Sequence, residues 1–228
     1  VMRQAEGIRV VSNVLRQKVI DYFQFGSSMI YVSPVPVSIE PQVEDSDRSK
    51  LKKKIGVSDV PLILFVGRVC EQKNLPLWIR VASNIVRQGV SAQFVMVGEG
   101  DLLDLLKQQI NQLGLANYFL FPGKKNTEDL MDYYAAADLF LLTSDYEGYG
   151  RVIVEANAAG IPVVSTKSTG PEDLIENGRT GFLTHRGDEQ ALSERVMYLL
   201  KDEKTRIQMG AAAKQKMIQE QSPDRLYD

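Results

Sequence analysis

Two carboxylates eight residues apart, Glu147 and Glu155, bracket the glycines Gly148 and Gly150 in YEGYGRVIVEANAAGIPVV, residues 146 to 164. A carboxylate only accepts hydrogen bonds, so a pair at this spacing suits different hydroxyl sets of one polyhydroxylated ligand. The glycines let the backbone take unusual φ angles and approach a ligand without a side chain in the way. If a helix starts near Arg151, the amides of Tyr149, Gly150, Arg151 and Val152 and the helix dipole make an anion seat. Taken singly, each acid also has a structural reading, Glu155 as ordinary compensation of a helix N-terminus, worth about 0.3–1 kcal/mol.

A second loop, VGRVCEQKN at residues 66 to 74, carries Arg68 and Lys73 five residues apart beside Gly67. Arginine offers a planar fork of donors and lysine a mobile point charge, a complementary pair for the oxygens of a diphosphate. From charge spacing alone a solvated surface pair is an equal reading. VGEGDLL, residues 97 to 103, has Gly98 and Gly100 but Leu103 in place of the third glycine of a dinucleotide fingerprint, so a tight strand-to-helix turn is favoured over a nicotinamide site. The one Asp-x-Asp triplet, Asp45-Ser46-Asp47, stands in a charged linker, and Cys70 and His185 lie far apart, so no metal site is expected.

The elements that must position these loops are legible as an alternation. Strands are predicted over 7–12, 29–34, 62–67, 92–98, 118–123, 138–144 and 161–166, and helices over 12–23 with Ser12 as N-cap, 75–88, 101–113, 127–136 and 151–159. Strands rich in Val, Ile, Leu and Phe without polar alternation imply a sheet covered on both faces, and helix-linked strands of this kind make an α/β, doubly wound, parallel Rossmann-like sheet. In such sheets ligands bind where the carboxyl ends of the strands lead into helices. Residues 34 to 60, with three prolines and a dense charge run, read as an exposed linker followed by a short surface helix, with a domain boundary near 34 to 42. After Gly181 the chain is predicted to be mostly helical, with a polar tail.

The 228 residues are 44% hydrophobic and 25% charged, enough for one good core in a soluble globular protein. A net charge of −2 with dispersed basic residues argues against a nucleic-acid partner. The lone cysteine fits a reducing compartment, the cytoplasm by default. Apolar runs fall well short of the ~18 residues of a membrane span. The cluster Lys50, Lys52, Lys53 and Lys54 suits a solvated helix face, with contact to anionic lipid as the alternative. The chain opens at Val1 in mid-pattern, and we expect it to be a piece of a longer protein.

Together, the Glu-x7-Glu stretch, VGRVCEQK, VGEG and STGPEDLIENGRTGF (168 to 182) resemble the family 4 retaining glycosyltransferases of the two-Rossmann-domain (GT-B) architecture. The resemblance runs from about residue 5 to residue 200. It implies that residues 1–37 are the remnant of an amino-terminal, acceptor-binding domain and 38–228 a GT-B type carboxyl-terminal domain that binds a UDP- or GDP-sugar. It implies that Arg68 and Lys73, beside Gly67, hold the β-phosphate, and that the backbone of Gly148, Tyr149, Gly150, Arg151 and Val152 contacts sugar and phosphates. Glu147 would bind donor-sugar hydroxyls at the reacting face, so that Glu147, Arg68 and Lys73 form the catalytic group. Glu155 would take the ribose hydroxyls, and the base would rest on backbone at Phe121, Gly123 and Lys124. The sequence departs from the family where Asn74 replaces a usual glycine, Thr169 one of a glycine pair and Arg151 an apolar residue.

The resemblance further implies transfer to a glycan or lipid-linked acceptor, no cofactor and no metal, and peripheral association with the cytoplasmic membrane face. A nucleotide-sugar epimerase of the same architecture and a non-catalytic nucleotide-binding module are the alternatives. The fragment is expected to bind donor nucleotide weakly and to transfer nothing alone.

Overall fold

The structure is a computed structural model that describes residues 7–11, 13–33 and 48–220. Ser12, the triplet at 45–47 and the boundary near 34–42 lie outside the described residues.

The first unit is β1 (Ile8–Val10), α1 (Asn13–Phe23) and β2 (Ile30–Val32), with the two strands parallel and Ile8 opposite Ile30. It is the β–α–β unit expected. After α2 (Arg48–Lys54) come β3 (Leu62–Val66), α3 (Leu75–Arg87), β4 (Gln93–Val97), α4 (Leu103–Gln112), β5 (Phe119–Gly123), α5 (Thr127–Ala136) and β6 (Leu139–Leu142). The chain continues through α6 (Arg151–Ala158), β7 (Val163–Thr166), α7 (Thr169–Leu174), β8 (Gly181–Thr184), α8 (Glu189–Lys201) and α9 (Glu203–Glu220).

The six strands from β3 onward form one parallel sheet in the order β5-β4-β3-β6-β7-β8. Every residue of β3, β6 and β7 is buried, which is why these runs are continuously apolar or small and lack alternation. Trp78 of α3, fully buried, meets Phe65, Phe94 and Phe119 edge-on and donates its indole N–H to the Leu141 carbonyl at 3.1 Å. One large side chain thereby ties β3, β4, β5 and β6 together. The order reverses between β3 and β6, so the crevice outside their carboxyl ends is the topological switch point. Arg68, Lys73 and Glu147 all lie on the two loops that leave those ends.

The lysine cluster of α2 is corrected by the fold. Lys52 is not on a solvated face: it is 6% exposed, and its ammonium donates to Asp138 Oδ2 and the Val60 carbonyl, each at 2.8 Å. Lys54 pairs with Asp132 at 2.7 Å. Asp138 precedes β6 and also accepts from the Leu62 amide at 2.8 Å, with Arg48 at 3.4 Å and Arg206 at 3.8 Å from Oδ1. This ionic knot closes the amino ends of the strands, opposite the crevice. A further helix, α7, arises inside the STGPEDLI stretch, where Gly170 and Pro171 hide it from periodicity.

Gly98 and Gly100 are resolved as packing residues. A Cβ on Gly98 would stand 1.8 Å from the Gly67 carbonyl oxygen and one on Gly100 2.2 Å from that of Val69. The loop after β4 thus lies against the loop after β3, backbone on backbone. Gly98→Ala, at φ 148°, is expected to cost about 3 kcal/mol or more of stability, read as a lower urea midpoint.

Candidate functional site

The loop after β3 ends in a short 3₁₀ turn, Glu71–Lys73, and hands over to α3 through Asn74, whose φ of 44° and ψ of 49° are left-handed. Asparagine is the residue that best substitutes for glycine there, which explains that departure. Its side-chain amide also donates to Asp145 Oδ1 at 2.9 Å. Around it the two loops are stitched together. The Asp145 amide donates to the Gln72 carbonyl at 3.0 Å, the Gln72 side chain to the Tyr146 carbonyl at 2.8 Å, and the Thr143 hydroxyl lies 3.0 Å from the Lys73 carbonyl.

Held this way, the Lys73 ammonium donates to Glu147 Oε2, with the two side chains only 10% and 14% exposed. Two groups 74 positions apart in sequence meet as one ion pair. Gly150, at φ 86°, is the left-handed cap from which α6 starts at Arg151, and the first α6 amide with an acceptor is that of Ile153, bonded to the Gly150 carbonyl at 2.8 Å. The amides of Gly150, Arg151 and Val152 take no acceptor among the described residues. They form a set of donors on the glycine loop that carries Glu147.

A cavity of about 620 Å³ lies over the ends of β3, β4 and β5, bounded by Gly67, Arg68, Glu99, Asp101, Lys124 and Lys125. Neither Lys73 nor Glu147 lines it, and the pair adjoins it through Gly67, whose added Cβ would be 3.6 Å from Lys73 Cε. Arg68, Gly67 and Lys124 therefore share one cavity. Gly123 borders it through Glu99, whose Oε1 would be 3.6 Å from an added Cβ and lies 3.4 Å from the Lys124 amide. The Phe121 ring stacks on Phe119 beneath Lys107, and Phe121 is not among the residues that bound the cavity. Gly148 and Tyr149 stand on the loop between Glu147 and α6, with the Tyr149 carbonyl against Gly170.

Glu155 is placed differently from the other acid. Its Oε2 accepts from the buried Tyr134 hydroxyl at 2.7 Å, and Arg151 lies 3.7 Å from Oε1. Burial raises its carboxyl above the ordinary glutamate value, and the Tyr134 bond and Arg151 oppose that rise. A raised carboxyl favours the protonated form in the fold. This group's contribution to stability is therefore fully present below the ordinary value of 4.5 and is lost as pH rises through the elevated one. Glu155→Gln should melt above the parent chain at pH 7, with the gap closing below pH 4.5.

Sequence reasoning missed Tyr134, the acids Glu99 and Asp101 on the cavity wall, and the Gln72 and Asp145 stitches. Tyr134 sits in the last turn of α5 with no motif around it, and the stitches join loops that only the strand order makes adjacent. No cluster of three or more His, Cys, Asp or Glu side chains capable of holding a metal ion occurs among the described residues. No described helix is long and apolar enough to cross a membrane.

A parallel sheet in this order, with a cation, a carboxylate and open amides at its switch point, defines a Rossmann-like doubly wound domain. The chain belongs to the glycosyl transferases group 1 family, whose model matches residues 47–216. The GDP-mannose-dependent alpha-(1-6)-phosphatidylinositol monomannoside mannosyltransferase of Mycobacterium tuberculosis is 26% identical over 215 residues, 91% of this chain and 56% of that protein. The N-acetyl-alpha-D-glucosaminyl L-malate synthase of Bacillus anthracis is 30% identical over 175 residues, 76% of this chain and 45% of the relative. The crystal structure of Anabaena Alr3699/HepE in complex with UDP and glucose superposes with a TM-score of 0.84 at 28% identity, covering 95% of this chain and 59% of that one. The architecture is that of GT-B glycosyltransferases. The chain spans about half the length of the curated relatives it matches.

Proposed function

We propose that this chain is the donor side of a retaining, family 4 glycosyltransferase that takes a sugar from a UDP- or GDP-sugar to a glycan or lipid-linked acceptor. The observation that carries this reading is the meeting of Lys73, Glu147 and the open α6 amides at the switch point. Family membership and the nucleotide sugars in the relatives' names support it.

Transfer breaks the bond between the anomeric carbon and a phosphate oxygen, so negative charge grows on the departing diphosphate. Preorganised donors aimed at that charge lower the barrier most. Arg68, Lys73 and the start of α6 supply them, which is the reason no metal is required in this mechanism. Lys73 has three N–H donors and spends one on Glu147 in the resting site. Glu147, oriented by that bond, accepts from donor-sugar hydroxyls. With its carboxylate engaged as an orienting group, the reading favours substitution on the front face within the ion pair over a covalent intermediate. The base rests on the backbone of Phe121, Gly123 and Lys124, and Glu155 exchanges its Tyr134 contact for ribose hydroxyls. The acceptor lies on an amino-terminal domain of which residues 1–37 are the end, in the cytoplasm at the membrane face. The isolated chain binds nucleotide and transfers nothing.

The test is calorimetric titration of the chain with UDP, GDP and their hexoses, followed by a UDP- or GDP-soaked crystal. The pyrophosphate is expected between Arg68, Lys73 and the amides of Gly150 to Val152. A pyrophosphate lodged elsewhere overturns the proposal, and so does release of an altered sugar from the donor without any acceptor.

A further inference from the structure

The start of α7 lies against the Glu147 loop, and no side-chain cap closes its first turn. Ser168 stands at the N-cap in an extended conformation, but its hydroxyl makes no cap bond and is buried without a partner. Two contacts from outside the helix secure the first turn instead. The Gly170 amide donates to the Glu147 carbonyl at 2.9 Å, and Gly170 lies so close that a Cβ would be 2.3 Å from the Tyr149 carbonyl oxygen. The second contact comes from the first β–α–β unit: the Lys18 ammonium, on α1, donates to the hydroxyl of the buried Thr169 at 2.6 Å. At the other end of α7, Lys216 donates to the Leu174 carbonyl at 3.1 Å, where the helix dipole favours a cation.

Lys18 sits at the wrong end for such a gain. An ammonium at the positive pole of a helix is electrostatically disfavoured, and tying down a long exposed side chain on a neutral hydroxyl costs rotamer freedom. Stability does not account for the contact, whereas position does. The path from Lys18 through Thr169 and Gly170 ends on the backbone of Glu147, whose carboxylate is the partner of Lys73. Lys18 also lies outside the residues matched by the family model, so it links the first unit to the site across 151 positions of sequence.

We propose that Lys18 is a positioning residue for Glu147, and through it for the sugar of the donor; the inference rests on the function proposed above. Thr169 replaces one of the small residues of its motif because it supplies the hydroxyl that Lys18 grips.

The experiment compares Lys18→Met, Lys18→Arg, Thr169→Val and the Lys18→Met/Thr169→Val pair with the parent chain. Titration is with UDP and UDP-glucose, or with GDP and GDP-mannose if the guanosine form is the one bound, and melting temperature is recorded for each. Lys18→Met and Thr169→Val should each weaken the nucleotide sugar about fivefold or more while leaving the nucleoside diphosphate within about twofold. The pair should be no worse than either alone, and Lys18→Arg should restore binding. Equal losses for diphosphate and nucleotide sugar that follow the melting temperature, additive losses in the pair, or no loss at all would overturn the proposal. Lys73→Met separates the two readings: if it weakens diphosphate binding about tenfold or more while Lys18→Met changes nothing, the donor site stands and this inference alone falls.

Discussion

Asp138→Ala is expected to cost the fold about 3–5 kcal/mol, the size of the effect when one member of a buried ionic group is removed. For a chain of this length that corresponds to a fall in Tm of about 6–20 °C. Asp138 is 6% exposed and sits among Lys52, Arg206 and Arg48, with the Leu62 amide on the same oxygen as Lys52. Truncation leaves Lys52 buried without its carboxylate and Arg206 with only the exposed Glu203 at 3.6 Å, and Nε of Arg206 is already without a partner. The loss is therefore the stranding of cations rather than the worth of one contact. Asp138→Asn, which keeps an acceptor for Leu62 but removes the charge, should fall between the parent and the alanine variant. Urea unfolding monitored by circular dichroism measures both. Nucleotide affinity of the folded fraction should not change, because the knot closes the amino ends of β3 and β6 and the crevice opens at their carboxyl ends. A variant as stable as the parent would show that the cluster is held from elsewhere.

The second large effect is on binding. Lys73→Met removes one charge-assisted contact to the diphosphate, worth about 1.5–3 kcal/mol, or about ten- to a hundredfold in Kd. It also strips Glu147 of its counter-charge beside the place where the phosphates sit, so the carboxylate repels the ligand it now faces. The double variant Lys73→Met/Glu147→Gln should regain part of the lost diphosphate affinity, because the repulsion is gone and only the missing ammonium remains. Titration with UDP and GDP reads this directly. Equal affinity of parent and Lys73→Met would place the diphosphate away from the switch point.

The alternation of buried strands with helices was legible because it is local. LILFV and FVMV are continuous apolar runs of strand length, and α5 and α6 start at Thr127 and Arg151 as predicted. The glycine loop before α6 was legible for the same reason, since Gly150 in a left-handed conformation is a property of one residue and its neighbours. Lys52 misled because α2 is only seven residues long and mostly basic, so nothing in its pattern distinguishes an inward lysine from an outward one. The buried partner that decides the matter, Asp138, lies 86 positions away.

Residue types and their order along the chain determined by themselves that a parallel sheet would form and that Arg68, Lys73, Glu147 and the α6 glycines would stand on its loops. Only the tertiary structure decided which of these meet. The strand order β4-β3-β6 sets the loop after β3 beside the loop after β6, bringing Lys73 onto Glu147, whereas Glu155 turns to Tyr134 and Lys18 reaches Thr169. Hydrophobic periodicity encodes which face of an element is buried, but not which element will cover it. Contacts between loops follow from the order in which strands pair, and that order is settled by packing summed over the whole core.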